Sequence, residues 1–230
     1  MGLFLQQAGF RTCHWPAYYN QIDYQSLVAD LEDQPDRVVD ILRPMLEAFD
    51  AFSDVPIPAI YPTLDKVYPG SKFIAAYRNP FDWYRSVRRH CAKRPLDPYE
   101  RVQYWRYLTD RPTHLDEVSA DHLVAMFLRH YAEMLAYFDG RQDFLLVDIN
   151  DLDCGAKIAR FLGTSPRKFP HVDRYPSGAA KSISTFRKNW ASLEGRKKWS
   201  LLLDALPLPI LLRLYSKAKR TFWQRKKHQR

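Results

Sequence analysis

Glycine is scarce in this chain: 8 residues in 230, against 16 prolines. That ratio excludes a collagen-like repeat and a flexible Gly-rich linker. Cysteine is scarcer still. Cys13, Cys91 and Cys154 are the three thiols, and none shares a CxxC spacing. A disulfide scaffold and a Cys-rich zinc module are therefore excluded, and a reducing, cytoplasmic setting is expected. Seven histidines form no HxxxH or His/Cys cluster, so no metal site is predicted. GxSxG and Cys/His nucleophile signatures are absent as well. No apolar run approaches the roughly 20 residues of a membrane span. The opening MGLFLQQAGFR has no basic n-region and no small-residue cleavage site, so no signal peptide is predicted.

Acidic residues thin out towards the end. Residues 166–230 hold 17 Lys and Arg against 3 Asp and Glu, whereas residues 1–165 hold 18 against 23. A basic final third points to an anionic partner or to a solvated basic surface. What the chain has in quantity is apolar and aromatic residues, 46% and 14%. That composition belongs to a globular protein, and the length suits one domain with or without an appendage.

Phe4, Leu5 and Ala8 stand at helical spacing until Gly9 stops the pattern. Residues 11–15 suit a short strand. Leu27, Val28 and Leu31, then Val38, Val39, Leu42 and Leu46, predict two amphipathic helices broken apart by Pro35. Residues 52–56 read as an extended piece, and 57–68 as a helix with Ile60, Leu64 and Val67 on one face. Pro69-Gly70-Ser71 is a turn. Phe73-Ile74-Ala75-Ala76-Tyr77 and Phe144-Leu145-Leu146-Val147 are continuous apolar runs, as in strands covered on both faces. Helices are predicted over 97–108, 117–138, 156–162, 185–204 and 208–226. Helices alternating with all-apolar strands predict an α/β fold with a parallel sheet flanked by helices.

Candidate chemistry gathers at the end of the strand 72–77, because open α/β sheets bind ligands beyond the carboxyl ends of their strands. Arg78 is the first residue past that end, and a guanidinium there can fork onto a phosphate. Pro80 suits a first helical position, so helix N–H groups follow at once. Ser86 lies about two turns into that helix. An arginine paired to a carboxylate and a surface serine would fit the spacing equally. Asp54 ends the extended piece upstream and is a candidate base for a hydroxyl; it also suits a cap for the following helix. His14, after the first possible strand, is the rival base.

The segment from Lys72 to Ser86, KFIAAYRNPFDWYRS, resembles the 3′-phosphate-binding segment of sulfotransferases. In that family an Arg ends the strand, Asn-Pro or Asp-Pro follows, and a Ser stands eight residues after the Arg. Phe52-Ser53-Asp54-Val55-Pro56, His130-Tyr131 and Phe161-Leu162-Gly163 resemble its bacterial and fungal branch, and the likeness runs to about residue 172. The resemblance implies a P-loop NTPase-like three-layer sandwich over residues 1–182, with a basic helical extension over 183–230. It implies transfer of a sulfuryl group from 3′-phosphoadenosine-5′-phosphosulfate (PAPS) to an acceptor hydroxyl, without a metal. Asp54 would be the base, and Arg78 and Ser86 would hold the donor's 3′-phosphate.

One family element has no counterpart. The Gly-rich loop that wraps the 5′-phosphosulfate follows a first strand, and Met1–Leu5 resembles the helix after that loop. Pro69-Gly70-Ser71-Lys72 precedes a strand, the wrong order for a phosphate cradle. Either the strand and loop lie upstream of Met1, or the chain is a non-catalytic relative that binds ligands or a membrane surface. Phe186-Arg187-Lys188 weakly resembles a second 3′-phosphate grip. Lys217 to Lys227, basic with Phe222 and Trp223 interleaved, suits an anionic membrane surface better than nucleic acid, for which no recognisable module exists; a frayed tail on a covering helix pair fits it too.

Overall fold

Phe73–Tyr77 and Phe144–Asp148 become the two longest strands and pair in parallel, Phe73 opposite Phe144 through Tyr77 opposite Asp148. Their alternate side chains enter two different clusters. Ile74, Leu145 and Val147 pack with Phe4, Leu5 and Ile158, whereas Phe73, Ala75, Phe144 and Leu146 pack with Tyr61, Met134 and Phe138. Burial on both faces is the reason for an uninterrupted apolar run.

The computed structural model describes residues 1–91 and 94–170. Its elements run α1 (Gly2–Gln7), β1 (Thr12–His14), β2 (Tyr18–Tyr19), β3 (Ile22–Asp23), α2 (Tyr24–Leu27), α3 (Pro35–Ala48) and β4 (Ala51–Ser53). There follow α4 (Ile57–Val67), β5 (Phe73–Tyr77), α5 (Pro80–Cys91), α6 (Pro98–Tyr104), α7 (Ala120–Tyr137), β6 (Phe144–Asp148) and α8 (Cys154–Leu162). The compact unit considered below comprises Met1–Arg78 and Asp82–Pro170. Parallel strand pairs with helices on both faces make it an α/β fold, as the alternation of patterns predicts. The domain division at 182, the segment Phe186-Arg187-Lys188, the two C-terminal helices and the basic stretch 217–227 lie outside the described residues.

Strand pairing departs from a simple expectation. If β4 and β5 were neighbours, Asp54 and Arg78 would share one rim. Instead β1 pairs in parallel with β4, and β5 with β6. The two pairs are linked by side chains, since Ala51 and Ile74 meet the same cluster around Phe4 and Leu5. Phe52 and Phe73 likewise both pack against the α3/α4 core of Val38, Leu42, Ile60 and Leu64. Val38, Leu42 and Ile60 are fully buried, and truncating Leu42 or Ile60 to Ala typically costs about 2–5 kcal/mol.

Local chemistry sets most boundaries. Pro35 opens α3 as a first-turn residue rather than separating two long helices. The helix expected around Leu27–Leu31 is only the single turn α2, which Asp23 caps through the Ser26 N–H, and Asp30 then turns the chain at φ 65°. Asp97 and Glu100 form a reciprocal capping box on α6. That helix stops at Tyr104, short of the predicted 108. Gly9 at φ 95° and Gly163 at φ 74° follow α1 and α8, where a left-handed residue is needed. Lys72 donates to the Phe161 carbonyl at 2.8 Å, tying the start of β5 to the end of α8. Its ammonium is thereby engaged away from any phosphate cradle.

Candidate functional site

Arg78 leaves β5 half-buried. Burial lowers its pKa from the usual arginine value, and Tyr131, Asp82 and Tyr104 partly restore it. The carboxylate of Asp82 is taken by Arg85 one turn further along α5. Among the described residues no carboxylate stands within ion-pair distance of Arg78. A guanidinium taken out of water is stable only when an anion or hydrogen-bond acceptors compensate it. The reading of Arg78 as a structural ion pair therefore finds no partner among the described residues.

The strand end beneath Arg78 is held from α7. The Tyr131 hydroxyl donates to the Ala76 carbonyl at 2.8 Å, and its ring meets Tyr77 edge-on. Ser86 lies on α5, half-buried, between Trp83 and Val87, which pack against Leu123 and Met126. Its hydroxyl has no hydrogen bond among the described residues. A helix rises about 1.5 Å per residue, so Ser86 stands roughly 9 Å along the axis from Pro80. One phosphate meets both residues only where the long Arg78 side chain reaches along the helix towards Ser86.

Asp54 follows β4 with φ 81°, a left-handed conformation that costs an L-residue other than Gly roughly 1–2 kcal/mol. Trp15, the residue after β1, has φ 58°. A cis Val55–Pro56 bond follows Asp54. Asp54 does not cap α4: the helix has no side-chain cap, and Asp54 Oδ1 accepts the N–H of Val55 at 2.9 Å. The Oδ2 atom faces β1, 3.4 Å from His14 Nε2. The two rival bases of the sequence are thus neighbours. His14 sits opposite Ser53 in the register, and its Nδ1 lies 3.0 Å from Ser53 Oγ. The start of α1 closes one side. A Cβ on Gly2 would fall 3.1 Å from both His14 Cβ and Ser53 Oγ.

Asp54 and Arg78 belong to different strand pairs, yet one side chain feels both. Tyr104, 7% exposed at the end of α6, has its phenol pKa pushed well up by burial, with Cys91, Glu100 and Asp54 adding to it. The same phenol acts on Arg78. Nothing in the sequence marks Tyr104, since an aromatic on an amphipathic helix reads as core. Ser53 and Tyr131 stand in segments that carry the family resemblance, but their contacts span 39 and 55 residues and are not legible in the sequence. Among the described residues no group of three His, Cys, Asp or Glu side chains could hold a metal ion, and no helix is long and apolar enough to cross a membrane.

A strand-end arginine followed by Asn-Pro, a helix and a serine eight residues on is the pattern that resembled a known family. A family model described as Sulfotransferase domain matches residues 1–176. The chain belongs to the sulfotransferases. The match covers every described element, from α1 to α8, and so includes Asp54, Arg78 and Ser86. No curated protein matches the chain. Membership supports a transferase function of the sulfotransferase type, and the family generally takes PAPS as its sulfuryl donor.

Proposed function

We propose that this sulfotransferase moves a sulfuryl group from PAPS to an acceptor hydroxyl, with Arg78 and Ser86 holding the donor's 3′-phosphate and Asp54 acting as base. The observation that carries this reading is Arg78: a half-buried guanidinium at a strand's carboxyl end, with no carboxylate partner among the described residues. A phosphate supplies the charge it lacks, in a bidentate geometry that suits the fork. Ser86 offers a hydroxyl donor further along α5. The donor chemistry fits these residues at its 3′-phosphate end. No glycine-rich loop for the 5′ end lies between Met1 and Pro170.

Asp54 is 36% exposed, so an acceptor can reach it, while Val55 N–H steadies the carboxylate. In the proposed reaction Asp54 takes the proton of the acceptor hydroxyl. The acceptor oxygen forms a bond to sulfur as the bond from sulfur to the 5′-phosphate oxygen breaks. The products are the sulfated acceptor and adenosine 3′,5′-bisphosphate, and the proton remains on Asp54 until solvent removes it. Arg78 acts on binding and orientation, not on the broken bond.

The test is transfer of labelled sulfate from PAPS across a panel of hydroxyl acceptors, comparing the wild type with Asp54→Asn. Turnover lost in the variant with nucleotide affinity retained supports the reading. Full turnover by Asp54→Asn removes Asp54 as the base. A second reading keeps the nucleotide half alone: a non-catalytic binder would take up adenosine 3′,5′-bisphosphate through Arg78 and show no transfer.

A further inference from the structure

We propose that His14 is not a second base but the positioning residue of Asp54, held in one tautomer by Ser53. This rests on the reading of Asp54 as the base. Three observations meet at the ends of β1 and β4. His14 Nε2 lies 3.4 Å from Asp54 Oδ2. His14 Nδ1 lies 3.0 Å from Ser53 Oγ. Asp54 also adopts φ 81°, which turns the residue after β4 out of the extended conformation.

The hydrogen inventory orders these contacts. An ionised carboxylate only accepts, so the imidazole nitrogen facing it carries the proton. A neutral imidazole has one N–H, so Nδ1 is then the acceptor, and the Ser53 hydroxyl donates to it. Nδ1 is engaged by Ser53, and the protonated Nε2 stands at ion-pair distance from Asp54, so neither nitrogen is left to take a proton from a substrate. Asp54 by contrast accepts one N–H on Oδ1, its Oδ2 lies 3.4 Å from the imidazole, and a carboxylate has about four lone-pair sites. The remaining ones are free for an acceptor hydroxyl. Left-handed backbone at a non-Gly residue persists only where the surroundings over-determine it. Here Val55 N–H holds Oδ1 and the His14 imidazole stands beside Oδ2. Gly2 lets this happen, since a side chain there would press on both His14 and Ser53.

Two measurements on the full chain test the inference. The first needs no turnover: 15N spectra of the His14 ring at mildly alkaline pH, assigned by loss of the signal in His14→Ala. The expected spectrum is that of the Nε2–H tautomer, with the bias weakened in Asp54→Ala and in Ser53→Ala. A dominant Nδ1–H tautomer, or a tautomer ratio unchanged in both variants, overturns the inference whether or not the protein transfers sulfate. The second is a kinetic split. His14→Ala should lower kcat by about 10–100-fold, as a misplaced catalytic group does, with KM for PAPS and affinity for adenosine 3′,5′-bisphosphate kept. His14→Gln, which retains a donor near the Nε2 position, should recover part of kcat. Wild-type kcat in His14→Ala, or no recovery in His14→Gln, contradicts a positioning role. Absence of transfer by the wild type counts against the transferase reading itself, and the tautomer result still decides whether His14 orients Asp54.

Discussion

The Tyr131 hydroxyl reaches the Ala76 carbonyl at 2.8 Å, two residues before Arg78. Burial pushes the pKa of the same phenol well up, and the positive charge of Arg78 pulls it back down. An α7 side chain therefore holds the strand end from which the candidate phosphate ligand projects. Tyr131→Phe keeps the ring packing and removes one hydrogen bond. A loss of about 0.5–1.5 kcal/mol is predicted from urea unfolding, with nucleotide affinity changed less than in Arg78→Ala. Unaltered stability would mean that the Ala76 carbonyl finds another donor.

Gly155 lies in the first turn of α8, where Ala would normally be favoured over Gly by about 1 kcal/mol. Here the sign reverses. A Cβ at 155 would fall 2.2 Å from the Arg167 carbonyl oxygen and 2.7 Å from the Phe169 nitrogen, both backbone atoms. Phe169 stacks on Phe4 of α1 at 5.7 Å, so displacing it disturbs the cluster behind β5 and β6. Gly155→Ala is predicted to destabilise by about 1–3 kcal/mol in denaturant titrations. A stabilised variant would contradict the close approach.

His130 provides a pH signature independent of the site. It is 8% exposed, and burial together with Arg106 lowers its pKa from 6.5 to about 4, against an opposing pull from Glu133. The Tyr107 hydroxyl donates to Glu133 at 2.9 Å, so at 3.2 Å it accepts from His130 Nδ1–H. Between pH 6.5 and 4 the unfolded chain takes a proton on His130 that the folded chain refuses. Folding stability therefore falls as pH drops through that window, by on the order of 3 kcal/mol, and this contribution levels off below about pH 4. In His130→Gln, urea unfolding against pH should lose up to one proton of slope between pH 4 and 6.5. An unchanged slope would place His130 elsewhere than in a buried, uncharged role.

Some of this was legible in the residues themselves, and some was not. Strands β5 and β6 announce themselves because burial on both faces leaves no polar position. The places of Arg78 at the end of β5 and of Ser86 on α5 are legible because strand end, Asn-Pro and helix are consecutive in the chain. The β2–β3 hairpin is not legible. Its strands are two residues each, and its turn residues Asn20 and Gln21 both take positive φ without a glycine to advertise it. Strand order is not written in hydropathy, so the separation of Asp54 and Arg78 onto different strand pairs had to be seen. The choice between Asp54 as helix cap and Asp54 beside His14 also depended on a contact 40 residues apart in sequence.

The central claim is that Arg78 is a phosphate ligand. Calorimetry with adenosine 3′,5′-bisphosphate on the wild type and Arg78→Ala tests it most directly, with adenosine 5′-phosphate, which lacks the 3′-phosphate, as the control. A charge-assisted phosphate contact contributes about 1.5–3 kcal/mol, so affinity for the bisphosphate should fall roughly 10–150-fold in Arg78→Ala, while the control ligand distinguishes the two proteins little. Equal affinities of wild type and Arg78→Ala for the bisphosphate would contradict the assignment of Arg78 and the site built around it.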